Sequence, residues 1–247
     1  RNQCAGGSAL SKFYVTGGRD PAAGYMTDCD AFDLATWSSK TSLPGQAFDH
    51  CSAGLGAELH VVGGDANTNR HYAFIGDSYW VSLPLVFSGQ TEADGPAAAY
   101  YNSKIGVIGG SWGSPLNGFE EWTGVGWVVQ TVYPTNIANA AAGFINTSLY
   151  VFGGVPTTNL SDVTNACYKW NGTSWSADAN LPSSYARHGS TVIGSVISSL
   201  GGRTSTYHQE HCHRPYDRPD NRARCDQQAL AEVGERKQQC QVEQNAL

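Results

Sequence analysis

Five short segments of this chain share one pattern at a near-constant interval, and that interval limits the fold more than anything else in the sequence. They run from Phe13 to Gly18, Leu59 to Gly64, Ile105 to Gly110, Leu149 to Gly154 and, degraded, Ile197 to Gly202, with first glycines 46, 46, 44 and 48 residues apart. Self-similarity at such a period marks a repeat array, in which each unit buries its apolar face only against its neighbours. Glycine pairs alone would say little, because 29 glycines in 247 residues give about three pairs by composition. One pair, Gly6-Gly7, is out of register.

The aligned columns carry the inference. Four residues before the first glycine stand Phe13, Leu59, Ile105, Leu149 and Ile197, and two before it stand Val15, Val61, Val107 and Val151, with Ser199 breaking the column. Residues two apart share one face of a strand, so each segment reads as a buried strand ending in glycines. Glycine there suits a backbone that turns through positive φ or lets a neighbouring strand come close. A run of small residues precedes each segment (Cys4 to Ala9, Cys51 to Gly54, Ala97 to Ala99, Ala140 to Gly143, Gly189 to Thr191), and a tight polar turn joins the two into a hairpin.

After the glycines come a loop of variable length and a third strand, predicted to end at Phe32, Ile75, Trp122 and Trp170. Five residues later, in four units, stands a tryptophan: Trp37, Trp80, Trp127 and Trp175. A buried indole contributes a large contact area, so one tryptophan per unit at a fixed depth predicts a wedge between adjacent sheets.

Four strands per unit, glycine pairs after the second and tryptophan in the fourth resemble the kelch repeat of β-propellers. The resemblance covers residues 1–202 strongly and 203–221 weakly. It implies an all-β, kelch-type propeller of four-stranded antiparallel blades, arranged radially with the small-residue strand innermost. Four units are complete and a fifth is degenerate. The expected units are about 1–46, 47–94, 95–136, 137–184 and 185–221, followed by a helical or irregular extension over 222–247. In unit five Asn221 stands where tryptophan should be, and the tail is rich in arginine, glutamine and acidic residues. Kelch propellers generally close with six or seven blades, so a piece of a larger propeller or a chain with a divergent end is expected, with a five-bladed ring as the alternative. The opening at Arg1, roughly where Arg187 stands in unit five, fits a cut at a repeat boundary.

Charged residues make up 15% of the chain and the formal net charge is -6, which points away from a nucleic-acid surface. No apolar run reaches the ~18 to 20 residues of a membrane helix, so a soluble protein is expected. Abundant Gly, Ser, Thr and Ala lean towards an extracellular one. Of the seven cysteines, Cys29 and Cys167 fall in a third-strand column, filled by Tyr72 and Phe119 in the other two units, and read as small buried hydrophobes. His208, His211, Cys212 and His213 are the candidate metal ligands, but their spacing matches no closed four-ligand motif, and neither a metal nor another cofactor is expected.

The expected function is a non-catalytic binding scaffold that presents its loops to a protein or glycan. The alternative that the resemblance implies is a carbohydrate-active enzyme of galactose-oxidase-like or sugar-mutarotase type. Six of the seven tryptophans occupy repeat columns, which leaves Trp112 as an anchor candidate in a variable loop. Arg19, Arg70, His71 and Arg203 stand in corresponding loops after the glycines. His50 and Arg187 open inner strands near the mouth of the central channel that the resemblance implies.

Overall fold

The computed structural model describes residues 2–64, 70–84, 94–111, 113–193, 196–200 and 202–204. The first unit contributes β1 (Ala5–Ala9), β2 (Lys12–Thr16), a small hairpin of β3 (Arg19–Asp20) and β4 (Gly24–Tyr25), then β5 (Cys29–Phe32) and β6 (Trp37–Lys40). The second has β7 (Cys51–Leu55), β8 (Glu58–Val62), β9 (His71–Ile75) and β10 (Tyr79–Ser82); the third has β11 (Ala97–Tyr101), β12 (Lys104–Ile108), β13 (Phe119–Trp122) and β14 (Trp127–Val129). The fourth has β15 (Ala141–Ile145), β16 (Ser148–Phe152), β17 (Cys167–Trp170) and β18 (Trp175–Asp178), and the fifth shows β19 (Gly189–Ile193) and β20 (Val196–Leu200). Each of the first four units is one four-stranded antiparallel sheet in the order β1-β2-β5-β6, β7-β8-β9-β10, β11-β12-β13-β14 and β15-β16-β17-β18. The innermost strands lie side by side in chain order, β1 on β7, β7 on β11, β11 on β15 and β15 on β19. Their small side chains permit that approach.

The core lies between the blades. Blades 2, 3 and 4 turn the front face, the one bearing the periodic columns, towards the blade before them in the chain. Leu59 and Phe74 of blade 2 pack on Tyr14, Cys29 and Ala31 of blade 1. Ile105, Val107, Trp122 and Trp127 of blade 3 pack on Cys51, Ala53 and Val62 of blade 2, and Leu149, Val151 and Trp170 of blade 4 on Ala97, Ile108 and Phe119 of blade 3. The fourth-strand tryptophans also fasten blade to blade by hydrogen bonds. The indole N–H of Trp80 donates to the Thr41 carbonyl at 2.8 Å, that of Trp127 to Pro84 at 3.0 Å and that of Trp175 to Thr131 at 3.0 Å. Each acceptor lies just beyond the outermost strand of the preceding blade.

One detail of the sequence register needs correction. Phe32, Trp122 and Trp170 pair directly with Trp37, Trp127 and Trp175, but Trp80 pairs with Phe74, not Ile75. Blade 2 extends its outer hairpin by one pair, Ile75 with Tyr79, and closes it with Gly76, Asp77 and Ser78. Gly76 and Asp77 both sit at positive φ, 58° and 60°, the left-handed turn that a three-residue loop favours. The column expected to hold Cys29, Tyr72, Phe119 and Cys167 therefore holds His71 in blade 2, opposite Val62.

The glycine pairs have a specific task. Gly17, Gly109 and Gly153 adopt φ of 53°, 65° and 68°, and a Cβ on them would run into the carbonyls of Ala47, Ile137 and Tyr185. Those carbonyls, in the segment leading to the next blade, accept the N–H of the following glycine: Gly18 to Ala47 at 2.6 Å, Gly110 to Ile137 at 2.9 Å and Gly154 to Tyr185 at 2.6 Å. The first glycine gives the clearance and the second gives the donor.

Candidate binding site at the channel mouth

The glycine turns and the starts of the innermost strands meet at one end of the propeller. There the residue two before each innermost strand is left-handed: Gln3 (φ 54°), Asp49 (49°), Gly95 (65°), Asn139 (56°) and Arg187 (55°). Backbone bonds link them from blade to blade. Asp49 N–H donates to the Gln3 carbonyl at 2.9 Å, Gly95 to Asp49 at 2.6 Å, Asn139 to Gly95 at 2.6 Å and Arg187 to Asn139 at 2.9 Å. Asp, Asn and Gly tolerate this conformation well, whereas Gln and Arg adopt it rarely.

This girdle forms one wall of a cleft of about 270 Å³ lined by Asp49, Asp94, Asn139 and Arg187, with Ser111, Thr157 and Thr158 adding hydroxyls. Pro115, Ala138, Val155 and Leu160 make an apolar second wall. Asp49 is the most constrained charge. Burial pushes its carboxyl above the usual carboxylate range, while the charge of Arg187 and a bond from Gln3 pull it back. That bond, Gln3 Nε2 to Asp49 Oδ2, measures 2.5 Å. The cleft thus presents a carboxylate and a guanidinium of opposed charge beside an apolar strip, an arrangement suited to holding a polar ligand in a fixed orientation.

The residues singled out from sequence separate into two groups. Arg187 is exposed at the cleft. Arg19 and Arg203 directly follow their glycines, as the cleft residues Ser111 and Val155 do, and bond through their backbones to Asn2 and Ala186. The Arg19 guanidinium lies 5.7 Å from the centre of the Tyr25 ring, which in turn stacks on Phe48 at 4.1 Å. His50, Arg70 and His71 are instead buried. His50 Nε2 bonds Thr16 Oγ1 at 2.9 Å, and its side chain abuts Gly17 and Gly64. His71 lies between blades 2 and 3, within 2.9 Å of His60 Nδ1 and against the rings of Trp122 and Trp127. Burial removes these three side chains from the surface that a partner could touch.

Trp112 lies outside the described residues, as do His208, His211, Cys212 and His213 and the 222–247 extension. Among the described residues no group of three or more His, Cys, Asp and Glu could hold a metal ion, and no helix is long and apolar enough to cross a membrane. Sequence reading overlooked Gln3, Asp49 and Asn139. Their signal was present, since they recur at the same intervals of 46, 46, 44 and 48 residues, through Gly95 to Arg187, as the glycine pairs.

No protein-family model matches the chain. It is 27% identical over 197 residues to Kelch-like protein 25 of Xenopus tropicalis, an alignment covering 78% of this chain and 27% of that protein. Its fold superposes on a solved structure titled "Structure of YjhT" with a TM-score of 0.71 and 17% identity, covering 83% of this chain and 78% of the other. The chain has a β-propeller fold of four-stranded antiparallel blades, and its repeats are similar in sequence to a Kelch-like protein. The chain spans about a quarter of the length of the Kelch-like protein it matches, and its own repeat columns account for the glycine latches, the wedged indoles and the small innermost strands alike.

Proposed function

We infer that this propeller is a non-catalytic scaffold that binds a segment of a partner protein at the channel mouth. The observation that carries the reading is the Asp49 and Arg187 pair set beside the apolar strip of Pro115, Ala138, Val155 and Leu160. A half-buried carboxylate facing a guanidinium can receive both the N–H groups and the carbonyls of an extended peptide, and the strip can take one apolar side chain. The likeness to a Kelch-like protein supports a scaffold role. Among the described residues the histidines His50, His60, His71 and His188 are buried, His60 and His71 of blade 2 against the Trp122 ring of blade 3 and His50 and His188 against the glycine turns.

A photo-reactive residue at Thr158, exposed at the cleft rim, tests this by trapping whatever binds. Polypeptide adducts that form on the wild-type chain and disappear with Arg187→Glu, in a variant whose circular dichroism is unchanged, support the reading. Adducts insensitive to Arg187→Glu, or selective retention on a glycan array instead, overturn it.

A further inference from the structure

The sequence contains two Asn-Gly pairs, Asn117-Gly118 and Asn171-Gly172, and the fold holds them in different ways. In such a pair the backbone nitrogen after the asparagine can close a five-membered ring on the side-chain Cγ, because glycine puts no side chain in its way. Ring closure then depends on how the peptide planes and the amide are fixed.

Asn117 and Gly118 lead into β13 and are tied to their neighbours. The Asn117 carbonyl accepts the Tyr133 N–H at 2.8 Å, the Gly118 carbonyl accepts the Gly109 N–H at 2.9 Å, and Gly118 is buried. Asn171 and Gly172 are instead exposed, in the turn between β17 and β18. There Asn171 Oδ1 accepts the N–H groups of Thr173 and Ser174, each at 2.9 Å, which makes an Asx turn. Two donors on one amide oxygen draw electron density from Cγ and stabilise the negative charge that develops on that oxygen when a nucleophile adds. The nucleophile is free as well, since the Gly172 N–H makes no hydrogen bond among the described residues. Gly172 has φ 98°, and a Cβ built on it would meet nothing within 4 Å, so the ring has room to form.

Blade 1 already displays the product of such a reaction. Its outer turn has Asp33 at the corresponding position, with the Asp33 N–H donating to the Thr36 carbonyl at 3.2 Å as the Asn171 N–H donates to Ser174 at 3.3 Å. Asp33 Oδ1 accepts the N–H groups of Ala35 and Thr36 at 3.0 and 2.8 Å, and these bonds hold its carboxyl below the usual carboxylate range. This turn therefore accommodates a carboxylate as well as an amide.

We propose that Asn171 is a self-modifying site, at which the Gly172 nitrogen displaces the side-chain amide as ammonia and water then converts the ring to aspartate or to its β-linked isomer. The Gly172 nitrogen loses its proton and bonds to Cγ, the Cγ–Nδ2 bond breaks, and ammonia carries the proton away. Water opens the resulting succinimide. Attack at Cγ leaves an ordinary aspartate, whereas attack at the Asn171 backbone carbonyl leaves a main chain that runs through Cβ and Cγ and is one atom longer. The first product keeps the turn and adds a negative charge, as in blade 1. The second shifts the pairing of Trp170 with Trp175, and Trp175 is the ring that bonds the Thr131 carbonyl at 3.0 Å and packs on Tyr133. Accumulation of the β-linked form thus loosens blade 4 from blade 3.

Ageing of the full chain at neutral pH tests this, with both asparagines followed by peptide mass spectrometry, where each conversion adds about one mass unit. Folded and guanidinium-unfolded samples are run in parallel, and an isoaspartyl methyltransferase measures the β-linked product. Without the fold the two pairs should react alike. In the folded chain Asn171 is expected to convert at least about tenfold faster than Asn117, and no more slowly than it does in guanidinium. Gly172→Ala, at a position with free space around it, should slow Asn171 by at least about tenfold and leave Asn117 unchanged. Equal rates at the two asparagines of the folded chain overturn the proposal. So does a fold that slows Asn171 relative to guanidinium, a comparison that needs no variant, or fast conversion that persists in a folded Gly172→Ala chain.

Discussion

The Tyr14 hydroxyl of blade 1 donates to the Asp77 carboxylate of blade 2 at 2.9 Å, across the interface where Tyr14 itself is fully buried. Asp77 reaches it because the outer hairpin of blade 2 is one pair longer than the others. The same carboxylate accepts Lys40 Nζ at 2.9 Å and also Lys12 Nζ. Burial favours its neutral form, but the bonds from Lys12, Lys40 and Tyr14 more than offset this and hold the carboxyl below its usual range.

Removing this clasp should loosen the first two blades. Tyr14→Phe deletes one hydrogen bond and keeps the ring packed on Phe74, so a loss of about 1 kcal/mol is expected in urea unfolding. In a double-mutant cycle with Asp77→Asn the two losses should be less than additive. Strict additivity would mean that the contact contributes nothing. Because the folded carboxyl titrates below its unfolded value, its contribution is complete above the unfolded pKa of about 4 and is lost as pH falls through the lower folded value.

Acid should weaken the joint between blades 2 and 3. His60 and His71 share a hydrogen bond inside it. Burial first, then the charge of His60, drives His71 down to about 3; burial lowers His60 against the opposing pull of Glu58. Both are depressed histidines, so the unfolded chain takes up protons that the folded chain refuses, and stability falls as pH drops below about 6.5. A loss on the order of 1 to 3 kcal/mol between pH 7 and pH 5 is expected. His71→Phe, which installs the residue that blade 3 carries as Phe119, should reduce that slope. Part will persist, because His188 is lowered to about 4 by its own burial.

The glycine latches predict a sharp contrast between two substitutions. In Gly153→Ala the new methyl would sit 2.5 Å from the Tyr185 carbonyl and 2.6 Å from His188, at φ 68°. Left-handed strain and overpacking together should cost about 3 kcal/mol. Gly172→Ala has φ 98° but nothing within 4 Å, so only the conformational part, about 1 kcal/mol, remains. Equal losses in thermal unfolding would count against the latch.

The tryptophans should differ by blade although they share a column. Trp127→Ala removes a buried ring and its bond to Pro84, with an expected loss of about 3 to 5 kcal/mol. Trp37→Ala removes a ring that is 57% exposed and should cost about 1 kcal/mol or less. Denaturant midpoints of the two variants provide the comparison.

Much of the architecture could be read from sequence because repetition turns weak local signals into columns. A single glycine pair or tryptophan proves little, but Trp37, Trp80, Trp127 and Trp175 at matching depth require a common packing environment. The same regularity misled at Ile75. A fixed five-residue offset was imposed on a hairpin whose turn differs, and the burial of His71 between two blades was missed with it. The site was less legible because its members are unlike one another. Gln3, Asp49, Gly95, Asn139 and Arg187 share a backbone conformation and a hydrogen-bonding role, neither of which residue identity displays. His50 looked equally suited to the mouth, and only the packing on Gly17 and Gly64 places it inside.

The bond from Gly18 to Ala47 reaches 29 residues down the chain, and its counterparts at Gly110 and Gly154 reach similarly far. During synthesis, therefore, the turn that ends the second strand of a unit finds its acceptor only after the segment entering the next unit has emerged. Maturation of this chain should proceed as a ratchet, each new repeat setting the hinge of the one made before it, and a translational pause inside a repeat would leave the preceding hinge open to proteases.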